Sequence, residues 1–177
     1  MPGSIGHQTS RPWRFVHHGF YSRRHVRRVL DDAVMKRLQA LVSESETRHS
    51  GEIRIVVEAG LPNSYLWKRL SARDRAITLF GKLRVWDTEH NNGVLIYLLL
   101  AERRIEIIAD RALDRRVSII EWHSLLGDMR AEFAAGRFEQ GLTAAVAAVS
   151  GLLRQHFPLA PGESNPNELS DAPVRLG

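Results

Sequence analysis

Three short, mainly apolar runs, residues 53–57, 94–100 and 105–109, are built largely from Val, Ile and Leu, with Tyr97, Ala109 and the charged Arg54 and Glu106 among them, and have strand length. Between the first two, Ala76, Leu79, Phe80 and Leu83 recur at helical spacing behind Ser71 and Asp74, which read as a capping box. Between the second and third lies only Ala101-Glu102-Arg103, a hairpin-length connection. A strand-helix-strand crossover makes the first pair parallel, and a hairpin makes the second antiparallel. The start of run one, the start of run two and the end of run three therefore share one edge of one sheet.

Helices occupy most of the remaining pattern. Val26, Leu30, Val34, Leu38, Leu41 and Val42 predict a helix ending near Arg48, capped by either Ser22 or Asp31. Ser118 with Glu121 forms a second capping box ahead of the stripe Trp122, Leu125, Leu126, Met129 and Phe133, which Gly136 ends as a left-handed cap. Phe138, Leu142, Val146, Val149 and Leu153 make a last helix, stopped by Pro158. The expected fold class is α/β, a compact sandwich with a central mixed β-sheet flanked by helices on both faces. The expected division is an N-terminal arm over residues 1–30, partly disordered or docked, an α/β domain over 31–158, and a disordered tail over 159–177 that has no core-forming pattern.

Charge changes the picture of the arm. The net +5 of this 177-residue chain is carried by Arg11, Arg14, Arg23, Arg24, Arg27 and Arg28, with no acidic residue in the first thirty. The rest of the chain is close to neutral. Trp13, Phe15, Phe20 and Tyr21 lie among those arginines, an aromatic content that suggests docking onto the domain. With no cysteine, neither a disulfide framework nor a thiolate zinc site can form. No apolar run reaches a membrane span, and the N-terminus has no signal-peptide core, so a soluble cytoplasmic protein is expected. The sequence contains no phosphate-binding P-loop, dinucleotide fingerprint, Gly-x-Ser-x-Gly elbow or EF-hand spacing.

The segments His49-Ser50-Gly51-Glu52-Ile53, Arg73-Asp74-Arg75-Ala76, Trp86-Asp87-Thr88 with Asn91-Asn92-Gly93-Val94, Ala109-Asp110-Arg111, Trp122 and Gly136-Arg137-Phe138 together resemble the TPM-domain family. That family is named for a thylakoid lumen protein, a photosystem repair protein and an auxiliary subunit of nematode acetylcholine receptors. The match is to its short soluble bacterial branch, over about residues 31–158. The resemblance implies an α/β sandwich with calcium or magnesium near acidic strand ends. It also implies phosphatase activity, as in some plant members, or a role in membrane-protein assembly or repair, as in others. Many relatives carry a signal peptide and a C-terminal membrane anchor, and this chain shows neither.

The shared edge collects the candidate chemistry. Asp87 and Asp110, completed by Asn92, Glu89 and Asn91, offer oxygen donors to Ca²⁺ or Mg²⁺. The competing reading makes the same residues turn caps, since Asp and Asn dominate turns. Arg111 is a candidate to hold phosphate or simply to anchor Asp110. His49 and His90 are candidates for acid-base chemistry, for a transition metal or for phosphate or partner contacts, or else hydrogen-bonded caps, and Glu52 is a candidate phosphate or partner contact or simply a salt-bridge partner of an arginine. No nucleophile, base and oxyanion donor form a recognisable catalytic set. The expected function is an accessory or protein-interaction module with a divalent-metal site at this edge. The alternatives are a low-specificity metal-dependent phosphatase, with the metal on Asp87 and Asp110, and a peripheral membrane adaptor tethered by the basic arm. The expected partner is a protein, membrane-associated in one version of this reading. No specific nucleic acid is indicated, and weak contact with anionic membrane would run through the arm.

Overall fold

The computed structural model describes residues 11–177. The described elements are α1 (Arg11–Phe20), α2 (Arg23–Val29), α3 (Asp32–Glu46), β1 (Ile53–Glu58), α4 (Asn63–Trp67), α5 (Ala72–Lys82), β2 (Val94–Leu99), β3 (Arg104–Ala109), α6 (Arg111–Asp114), α7 (Ile119–Ala134), α8 (Phe138–His156) and β4 (Val174–Leu176). The sheet order is β3-β2-β1-β4. β1 runs parallel to β2 with Ile53 opposite Val94, and β2 runs antiparallel to β3 with Val94 opposite Ala109. The mixed sheet expected from the connections is therefore present, and the three polar segments fall at one edge of it.

Helices cover both faces. Ile53, Ile55, Val57, Ile96 and Leu98 pack with Leu38 and Val42 of α3, Phe133 of α7 and Leu142, Val146 and Val149 of α8. On the other face Val56, Leu95, Tyr97 and Leu99 meet Leu66 of α4 and Ala72, Ala76 and Leu79 of α5. Every residue of β2 is buried, which is why its sequence is a continuous apolar run without alternation. Both capping boxes form, at Ser71/Asp74 and Ser118/Glu121. Gly136 adopts φ +76, the left-handed conformation in which glycine carries no Cβ penalty.

The structure adds to the sequence reading and departs from it in places. Of the two caps the sequence offers, Asp31 starts the helix that ends near Arg48: it accepts Val34 N–H at 2.9 Å and begins α3, and the apolar spacing before it belongs to a separate helix, α2. Glu58, at the far end of β1, is 2 % exposed. It accepts two bonds from Arg75, at 2.7 and 2.9 Å, and one from the Tyr97 hydroxyl at 2.7 Å. The arm is docked from Arg14 onward. Val26 and Leu30 are fully buried, Arg14 donates to Glu102 at 2.9 Å, and His18 Nδ1 accepts Leu61 N–H at 3.0 Å. The expected disorder of residues 1–10 lies outside the described residues, as does the Trp13 side chain.

The tail departs furthest from its expectation. Residues 159–177, expected to be disordered, cross the sheet edge and add β4 parallel to β1, with Val56 opposite Val174. Polar bonds hold much of it: Asn165 donates to the carbonyls of His49 and Gly51, Leu169 N–H donates to Glu52 Oε2 at 3.0 Å, and Ala59 N–H donates to Leu176 O. Such contacts leave no apolar periodicity to read. Among the described residues no helix is long and apolar enough to cross a membrane.

Candidate functional site

The edge where β1 and β2 begin and β3 ends forms a continuous hydrogen-bonded rim. Val94 N–H donates to Glu52 O at 2.8 Å, and Asp110 N–H donates to Gly93 O at 2.9 Å. One step outward, Ala112 N–H donates to Asn91 O at 3.1 Å. The side chains continue the line. Asn92 Nδ2 donates to Ser50 Oγ at 3.2 Å, and the Arg111 guanidinium donates twice to Asn91 Oδ1, at 2.6 and 2.9 Å. A short loop builds this geometry. Asn91 takes φ +51, which Asn tolerates better than most residues, and Thr88 Oγ1 accepts Asn92 N–H at 3.2 Å. Gly93 is the position that forbids a side chain: a Cβ there would lie 2.0 Å from the Val85 carbonyl oxygen.

His49 is structural. It is fully buried, its Nδ1–H donates to Gly51 O at 3.0 Å, and its Nε2 accepts from the Ser150 hydroxyl at 3.2 Å. Burial pushes its pKa down to about 4, so the ring is neutral near pH 7 and braces β1 against α8. Gly51 beside it admits Leu153 of α8, whose Cδ2 would stand 2.4 Å from an added Cβ. His90 is exposed and lines an open groove of about 690 Å³ with Ser50, Glu89 and His156.

The five proposed cation donors are not gathered into one shell. Asp87 is exposed and lines a different groove, with Arg54, Arg84 and Glu168. Glu89 is exposed over the first groove, and its backbone N–H donates to Glu168 at 2.9 Å. Asn91 Oδ1 is taken by Arg111. Asp110 Oδ1 accepts Arg111 N–H at 2.7 Å and caps α6, leaving Oδ2. Asn92 Oδ1 and Asp110 Oδ2 are buried without a partner. They suit a hard cation in kind, and water would have to supply most of the six or more oxygens that such an ion takes. Among the described residues no three His, Cys, Asp or Glu side chains form a metal-binding group.

Glu46, a residue the sequence reading missed, sits just beneath the rim. It is 4 % exposed, accepts Ile53 N–H at 2.9 Å, and burial raises its pKa to about 8. Glu52, 1 % exposed, is also raised by burial, and its Oε1 has no partner. The signal for Glu46 was available, because it falls four residues after Val42 and eight after Leu38, on the apolar stripe of α3.

Three large apolar side chains on the rim side of the sheet are left in solvent. Ile119 and Ile120 are 75 % and 81 % exposed at the start of α7, and Trp86, just before the rim loop, is 50 % exposed. The segment leading to α7 is held from behind: Arg116 donates to His156 O at 2.6 Å and lies 4.4 Å over the Phe157 ring.

A family model described as the TPM domain matches residues 26–152. The NMR structure of the BA42 protein from the psychrophilic bacterium Bizionia argentinensis superposes with a TM-score of 0.70 at 25 % identity, covering 81 % of this chain and 92 % of that one. No curated protein matches.

Proposed function

Since the chain belongs to the TPM-domain family, we propose that it acts as an accessory binding module that holds a partner protein against the rim. The observation that carries this reading is the adjacent pair Ile119 and Ile120, 75 % and 81 % exposed on a backed, helical start. Large aliphatic side chains in that position gain nothing for the fold and gain transfer free energy when a partner covers them. The polar residues beside them serve the scaffold. His49 braces, Asp110 caps, and Arg111 and Asn91 hold one another. This reading does not require a cation. The phosphatase alternative needs Asp87 and Asp110 on one ion, and Asp87 lines a groove that Asp110 does not.

Site-specific photo-crosslinking tests it. A crosslinking side chain at position 120, in cells of the source organism, is expected to give one discrete adduct that Ile119→Ser removes. The same side chain at Ile77, exposed on α5, is expected to give none. Identical adducts from both positions, or none from either, would contradict the reading.

A further inference from the structure

We propose that the outward face of α1 and α2 docks onto an anionic lipid bilayer. The two helices are pinned from inside. Phe15 packs into the core beneath α4 and α5, Val26 is fully buried, and Arg175 donates to Leu30 O at 2.9 Å. His17, Tyr21 and His25 stack in sequence, with ring centroids 5.4 and 4.6 Å apart, and tie α1 to α2. The arm is therefore a fixed platform and not a loose tether.

Val16 and Phe20 face outward from that platform, 58 % and 79 % exposed, one helical turn apart on the same side of α1. Arg24, Arg27 and Arg28 follow on α2, all exposed. The acidic groups around them have other partners as well: Asp31 caps α3, Glu102 pairs with Arg14, and Asp32 pairs with Arg175 while also feeling the charge of Arg27. Apolar side chains beside a run of exposed arginines, of which Arg27 feels a nearby carboxylate, Asp32, are what a headgroup layer accommodates, with Phe and Val at the acyl boundary and guanidinium groups on phosphates. A second copy of the chain would set arginine against arginine, and a nucleic-acid backbone has no use for an exposed valine.

Co-sedimentation of the full chain with vesicles tests this. Phosphatidylcholine vesicles are expected to leave it in solution, and vesicles with about a third phosphatidylglycerol to sediment it, less so as salt rises. Replacing Arg24, Arg27 and Arg28 by Gln is expected to weaken binding about a hundredfold, at roughly a factor of five per arginine. Val16→Ser with Phe20→Ser is expected to weaken it about tenfold. Both variants should melt as the parent does, since the replaced side chains are exposed. Equal sedimentation with neutral vesicles, full retention by the Val16→Ser/Phe20→Ser variant, or binding of duplex DNA in place of vesicles would each overturn the proposal.

Discussion

Replacing Gly93 with alanine tests the rim most sharply, because one methyl group has nowhere to go. Its Cβ would lie 2.0 Å from the Val85 carbonyl oxygen and 3.1 Å from Val85 Cγ1. The overlap is with backbone, so no rotamer change relieves it. Val85 is fully buried and its N–H is bound to Phe80 O at 3.0 Å, while Gly93 O accepts Asp110 N–H and the next residue donates to Glu52. Either segment must shift by about an ångström and loosen those bonds. Overpacking costs about 1–3 kcal/mol, and each weakened hydrogen bond adds about 1. A loss of about 3–4 kcal/mol is expected, and roughly 6–16 °C in melting temperature for a chain of this size. Urea denaturation followed by circular dichroism reads it. Gly127→Ala is the control: that glycine sits within α7 with nothing within 4 Å of its added Cβ, and the substitution should stabilise by about 0.5–1 kcal/mol. Gly93→Ala as stable as that control would refute the packing at the rim.

Burial raises the Glu46 pKa from 4.5 to about 8, so between those values the folded state holds a proton that the unfolded state has released. This group's contribution to stability is full below about pH 4.5 and is lost as pH climbs to about 8. Glu46→Gln should remove that slope and be the more stable protein at pH 8 by a few kcal/mol, as pH-dependent urea midpoints would show. His49 acts with the opposite sign: its contribution is full above pH 6.5 and is lost as pH falls toward about 4, so the slope should flatten below pH 6.5 in a His49→Gln variant. Deleting residues 159–177 removes β4 and the amide on Glu52, and should cost more than about 3 kcal/mol, whereas a tail that merely trails would cost nothing measurable.

The connections made the sheet legible. A helix between residues 57 and 94 and three residues between 100 and 104 fix which strand ends meet, whatever the side chains do. Residue types also marked the rim, since His49, Asn92 and Asp110 all lie on it. The direction of each side chain was not legible. Asp87 and Asp110 fall at the same edge but face different surroundings, because the loop between Trp86 and Gly93 turns through left-handed Asn91 before the strand begins. The tail escaped notice because Asn165, Leu169 and β4 attach largely through amides and carbonyls, which carry no periodicity. The break between α2 and α3 rested on one cap, Asp31, within an otherwise continuous apolar spacing.

In the proposed function the rim's polar groups serve one another and the exposed aliphatic side chains do the binding. A calorimetric titration of the full chain with calcium, and then magnesium, tests the first half directly. Asn92 Oδ1 and Asp110 Oδ2 alone are expected to give no saturable heat up to about 1 mM, the weak end of calcium sites. A one-site isotherm that disappears in Asp110→Asn would contradict it and place a cation at the strand ends.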